Sequence, residues 1–180
     1  VPVNVSPDEA YEALDRGIID CALHSIAAQK ARSYGEAAKF VILDPLGGFL
    51  GAALFDLRID KWNALTPDQR KAIVDNLPQL VSDSIFNYIK EDEDVVKAYT
   101  AKGTKFYHAD PKFAEFVQKF AKKYTETAVQ KGAKVGVKDP EKIAAELTRL
   151  ADKWRALLDK NGRDPATFTR LLKEEIFSKI

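Results

Sequence analysis

The chain has 180 residues, 46% of them hydrophobic and 31% charged, and a formal net charge of +1 at pH 7. That length suffices for one domain with a real core or for two small lobes, and the near-zero charge argues against nucleic acid or another polyanion as partner. A single cysteine and two histidines exclude an internal disulfide and speak against a structural zinc site.

No apolar run reaches the roughly eighteen residues that span a bilayer as a helix. Phe40–Leu57 comes closest and is interrupted by Asp44, Pro45, Gly47 and Gly48. The N-terminus lacks the charged region followed by an apolar region of a signal peptide. Val1–Val5 alternates as a short strand would, and a chain that begins so abruptly on a strand reads as truncated.

In chain order, a capping residue followed by proline recurs at Ser6-Pro7, Thr66-Pro67, Asp110-Pro111, Asp139-Pro140 and Asp164-Pro165. Each pair predicts a helix start, because the side-chain oxygen can accept from an orphan backbone N–H and proline lacks a donor where none is needed. Ser6 with Glu9 and Thr66 with Gln69 are capping boxes. The first helix is predicted over Pro7–Arg16, ending at Gly17, followed by a strand at Ile18–Leu23 and a helix at Ser25–Lys39 broken by Gly35.

Two apolar runs, Phe40–Leu43 and Phe49–Leu57, flank a turn of Asp44, Pro45, Gly47 and Gly48. They read as buried strands. A double-glycine turn lets backbone approach a ligand closely. Thr66 opens a long helix to Lys102, with a kink expected at Pro78 and the acidic run Glu91–Asp94 as a solvated face or a break. Thr104–His108 is a strand candidate. Helices are predicted over Pro111–Gly132, Pro140–Leu158 and Pro165–Ile180, with Phe113, Phe116, Val117 and Phe120, then Ile143, Leu147, Leu150, Ala151, Trp154 and Leu158, then Phe168, Leu171, Leu172 and Ile176 as core stripes.

Chemistry is sparse. The glycine turn lacks the spacing of a phosphate loop or dinucleotide fingerprint. Cys21 and His24 invite a thiol-nucleophile reading, but three residues apart on a strand puts them on opposite faces. The run Glu91–Asp94 lacks the pattern of a calcium loop. The residues predict no enzyme, no cofactor and no metal.

The segment Pro7–Leu23, PDEAYEALDRGIIDCAL, resembles the signature of solute-binding proteins of tripartite ATP-independent periplasmic (TRAP) transporters, with Glu9, Tyr11, Ala13, Leu14, Gly17 and Asp20 in register. Glu36–Phe40 is similar to the family's helix-to-strand segment, and Asp60–Ile73, with Trp62 and Leu65, to its next helical motif. The tail from Glu174 to Phe177 is more weakly similar. The resemblance implies a helix-rich α/β chain, part of a two-lobed periplasmic-binding-protein-like fold with a long kinked helix spanning the lobes. It divides the chain into an α/β lobe segment at 1–65, the spanning helix at 66–103 and a C-terminal strand and helices at 104–180, without an N-terminal lobe. It implies a periplasmic location, a small organic acid as ligand and membrane permease subunits as partners.

Within that resemblance the ligand would meet His24, which falls on a common asparagine, Cys21, which falls on a glycine, and the turn of Asp44, Gly47, Gly48 and Phe49. His24 would donate to a ligand oxygen, the glycines would offer backbone amides, Phe49 an apolar wall, and Asp44 would cap a turn or accept a ligand hydroxyl. Cys21 also reads as a small buried core residue. The arginine that forks onto the ligand carboxylate falls before Val1. The alternative is a non-enzymatic helical interaction module, or a fragment that forms a homodimer through exposed strand edges or its C-terminal helix and binds no solute.

Overall fold

The computed structural model describes residues 1–46 and 55–179. The described part is helix-rich with one small sheet: α1 (Ala10–Asp15), α2 (Ala28–Ala31), α3 (Tyr34–Ala37), β1 (Phe40–Ile42), α4 (Ile59–Ala64), α5 (Pro67–Ala101), β2 (Lys105–Tyr107), α6 (Pro111–Lys134), α7 (Pro140–Asn161), α8 (Pro165–Glu175) and a 3-10 turn at Phe177–Lys179. The chain divides into two units, Val1–Leu46 with Asn87–Pro111 and Gly47–Phe86 with Lys112–Ile180.

Four of the five cap–proline pairs sit where expected, since α5, α6, α7 and α8 each begin on their proline. At Thr66 the reciprocal box is complete: Gln69 N–H donates to Thr66 Oγ1 at 3.2 Å and Thr66 N–H to Gln69 Oε1 at 2.9 Å. At Ser6 the box is only half made: Glu9 N–H donates to Ser6 Oγ at 3.3 Å, but Glu9 Oε2 accepts from the Ser6 hydroxyl at 2.9 Å, and α1 begins only at Ala10. Three helices end in the same way. Gly17, Gly103 and Gly136 take positive φ, and the next residue's N–H reaches back five residues, Ile18 to Ala13, Thr104 to Tyr99 and Val137 to Gly132. This closure satisfies carbonyls left over at the helix end, and only glycine adopts the left-handed turn without strain.

In the first unit, Ala10, Ala28 and Tyr34 form a small core with Val5, Tyr11 and Leu14 packed against it. The Tyr34 hydroxyl donates to the Pro7 carbonyl at 2.9 Å. β1 and β2 pair in parallel, Phe40 opposite Lys105, Val41 opposite Phe106 and Ile42 opposite Tyr107. β1's partner thus lies some sixty residues on, across the whole of α5. Val41 and Phe106 are half-buried, whereas Phe40, Ile42 and Tyr107 face outward, Phe40 and Tyr107 stacked at 6.3 Å.

The structure corrects several expectations. Val1–Val5 and Ile18–Leu23 are not strands. Ile18 and Leu23 are exposed, and an unpaired strand would leave its backbone groups without partners. Phe40–Leu43 contributes a strand, but one exposed on one face. Phe55–Leu57 is not a strand, and the rest of the Phe49–Leu57 run lies outside the described residues. The break between α2 and α3 falls at Ser33, in the left-handed region at φ 57°, while Gly35 is buried inside α3. The long helix α5 forms as expected with Pro78 inside it, almost completely buried, and Glu91–Asp94 is no break in it. Phe116, Phe120, Ile143, Leu147 and Ile176 are exposed rather than core.

Asp92 explains why the acidic run is not simply a solvated face. Its carboxylate accepts from the Ala27 N–H at 3.1 Å, tying α5 to the start of α2. Burial pushes its carboxyl above the usual aspartate range, the Ala27 hydrogen bond opposes this, and the Glu91 charge adds to the rise. A raised native value means that the native state holds its proton longer than the unfolded chain. Stability from this group is therefore present at low pH and is lost as pH rises from the unfolded value through the native one. Asp92→Asn keeps an acceptor for Ala27 and removes the loss. The variant's urea midpoint is expected to exceed the parent's at neutral pH and to converge on it near about pH 4; a constant gap would mean that Asp92 titrates alike in the native and unfolded states.

Candidate functional site

The three described residues of the predicted ligand set, Cys21, His24 and Asp44, all lie in the first unit. Gly47, Gly48 and Phe49 lie outside the described residues. Cys21 and His24 follow the glycine closure of α1 in a segment without regular structure, and both are exposed. Cys21 is thus not the small core residue expected, because the strand that would have buried it does not form.

His24 is held in one orientation. The Ser25 N–H donates to His24 Nδ1 at 2.9 Å, so in the neutral ring the proton sits on Nε2. The ring packs edge-on to Tyr34 at 5.7 Å, and Tyr34 is itself fixed by its bond to Pro7. Nε2 carries no hydrogen bond among the described residues and projects as a donor from a braced ring. The same contact weakens the thiol–histidine reading, because Nδ1 is already occupied.

Asp44 follows β1. Its Oδ2 accepts the Ala109 N–H at 2.6 Å and lies 3.6 Å from His108 Nδ1. With the Leu43 N–H donating to the Tyr107 carbonyl at 2.9 Å, the carboxylate clamps the carboxyl ends of the two parallel strands together. Ligands of open α/β sheets bind just beyond such strand ends. Sequence reasoning missed His108; the available signal was its place directly after the Lys105-Phe106-Tyr107 alternation. No hydrogen bond, ion pair or ring contact joins His24 or Cys21 to Asp44 among the described residues.

A separate cavity of about 390 Å³ in the first unit is lined by Lys30, Asn87, Lys90, Asp94, Tyr99 and Lys102. Lys90 is bonded to Asp94, which holds the Asp94 carboxyl below its usual range, and Lys102 lies over the Tyr99 ring at 4.6 Å. None of the predicted site residues lines it. Among the described residues no group of three or more histidine, cysteine or acidic side chains could hold a metal ion.

The segments carrying the resemblance turn out to be fold determinants. The Glu9 carboxylate accepts the Ser6 hydroxyl, Ala10 and Ala13 are buried, and Gly17 ends α1. The Arg70 guanidinium donates to the carbonyls of Trp62 and Asn63 and lies against the Trp62 ring, joining α4 to α5. The profile of the bacterial extracellular solute-binding protein family 7, DctP, matches residues 1–131. The chain belongs to this family. No curated protein and no solved structure is significantly similar to it. DctP proteins are periplasmic, non-enzymatic components of TRAP transporters that bind small solutes and work with membrane permease subunits. Among the described residues no helix is long and apolar enough to cross a membrane.

Proposed function

We propose that this DctP chain captures a small organic acid through its carboxylate, in the ligand cleft of a two-lobed periplasmic protein, and passes it to a membrane permease. The DctP match over residues 1–131 carries the transport role. The oriented Nε2–H of His24 supports the carboxylate, since a fixed donor meets an acceptor-only group without reorganising on binding. In this reading His24 is the direct contact, Cys21 lines the approach, Gly47, Gly48 and Phe49 contribute amides and an apolar wall, and Asp44 keeps the strand ends in place.

Binding to the native state at a hundred times the dissociation constant adds about 2.7 kcal/mol. Thermal unfolding of the chain against a panel of short mono- and dicarboxylates is expected to show a saturable rise in midpoint for one or more acids. His24→Ala should remove the rise while leaving the ligand-free midpoint within about 0.5 kcal/mol of the parent. A panel with no response would end the carboxylate assignment. A response that His24→Ala leaves intact would keep the acid and dismiss the contact.

A further inference from the structure

We propose that α6 is a docking surface for an anionic lipid membrane. The net charge of +1 conceals how unevenly charge is distributed: Pro111–Lys134 carries six lysines against two glutamates. Phe116, Phe120 and Tyr124 recur at three- and four-residue spacing, which places them on one face of the helix. All three are exposed, at 63%, 54% and 62%. Phe120 and Tyr124 stack at 6.0 Å, so the stripe is an ordered apolar strip, and no residue of α6 is buried.

Lys119, Lys122 and Lys123 fall within one turn of the helix, and none forms an ion pair among the described residues. The contrast with α7 is direct. There four of the five cations, Lys142, Arg149, Lys153 and Arg155, are neutralised, by Asp139, Glu146, Glu175 and Asp152. By helical periodicity Lys119 and Lys123 run along one edge of the aromatic strip, where lysine stems cover apolar surface while the ammonium groups stay in a polar layer. A basic amphipathic helix with aromatic residues on its apolar side lies in the plane of a bilayer interface, its rings at the acyl boundary and its lysines among anionic headgroups. A second copy of the chain is the competing occupant, but pairing two α6 helices would set one lysine-rich strip against another, and like charges oppose that contact.

The test is sedimentation of the 180-residue chain with vesicles of phosphatidylglycerol and phosphatidylcholine at about 3:7, with phosphatidylcholine vesicles as the comparison. Binding is expected only to the anionic vesicles, weakening as salt rises. Combining Lys119→Glu, Lys122→Glu and Lys123→Glu should lower partitioning by about 100-fold, and Phe116→Ser with Phe120→Ser should abolish it. These positions are exposed, so circular dichroism is expected to match the parent; if the phenylalanine variant unfolds, the lysine variant alone decides. No binding to anionic vesicles, or binding that the lysine variant retains, overturns the proposal. So does a dimer in sedimentation velocity that Phe116→Ser with Phe120→Ser dissociates, because the strip then belongs to a second copy.

Discussion

Gly35→Ala is expected to destabilise the first unit by about 3 kcal/mol, the upper range for overpacking a core. Gly35 is buried in α3, and a Cβ built there would overlap Cε1 and Cδ1 of Tyr99 and touch Gln29 Oε1 at 3.0 Å. Tyr99 cannot readily retreat. Its ring is 6% exposed, and its carbonyl accepts the Thr104 N–H in the glycine closure at the end of α5. Lys102 caps the face of the ring. The measurement is the urea midpoint of Gly35→Ala, of Tyr99→Ala and of the double variant.

Tyr99→Ala alone should be costly, because it opens a cavity. With the ring gone, adding Gly35→Ala should become neutral or mildly favourable, since alanine outranks glycine in a helix by about 1 kcal/mol. The coupling between the two substitutions is the decisive quantity. Additive costs would show that the glycine is needed for something other than room for Tyr99.

That glycine illustrates what the sequence concealed. Gly35 read as a helix breaker because glycine weakens helices, but its packing partner lies more than sixty residues away, and no local pattern announces it. Ser33, the actual break, carries no marker, since a left-handed serine is imposed by the tight path between α2 and α3 rather than preferred. The local signals were read correctly where the physics is local. Prolines open four helices, Gly17 and Gly103 end two, and the box at Thr66 forms as its spacing requires.

Strands fared worse because a strand is defined by its partner. Phe40–Ile42 pairs with Lys105–Tyr107 across a 35-residue helix, and Ile18–Leu23, also largely apolar, forms no strand pairing among the described residues. The site followed the same rule. Resemblance singles out His24 and Asp44, yet the bond that makes Nε2 the donor comes from its neighbour Ser25, and Asp44's clamp on Ala109 depends on the strand pairing. His108 was overlooked for that reason.

Phe168→Ala is expected to cost the second unit about 3 kcal/mol. Phe168, on α8, meets Phe86 of α5 edge-on at 6.2 Å and Trp154 of α7 edge-on at 5.9 Å, so one ring joins three helices. The start of α8 is pinned beside it. Asp164 accepts the Thr167 N–H at 3.0 Å, and the Pro165 carbonyl accepts from both Thr169 and the buried Ser82 hydroxyl of α5. With the helix so anchored, its neighbours cannot collapse into the space that alanine would leave, and the cavity cost is retained.

Each edge-to-face contact is worth about 1 kcal/mol beyond area burial. Phe168→Leu, which restores most of the volume but neither contact, should therefore recover only part of the loss. Trp154 reports directly if Trp62→Phe removes the other indole: its emission should shift to the red in Phe168→Ala as solvent reaches the ring. A stability loss without that shift would place the damage at the pinned start of α8 instead of at the aromatic junction. A red shift without a loss would mean that the three helices are held by Leu171, Leu172 and the Ser82 bond alone.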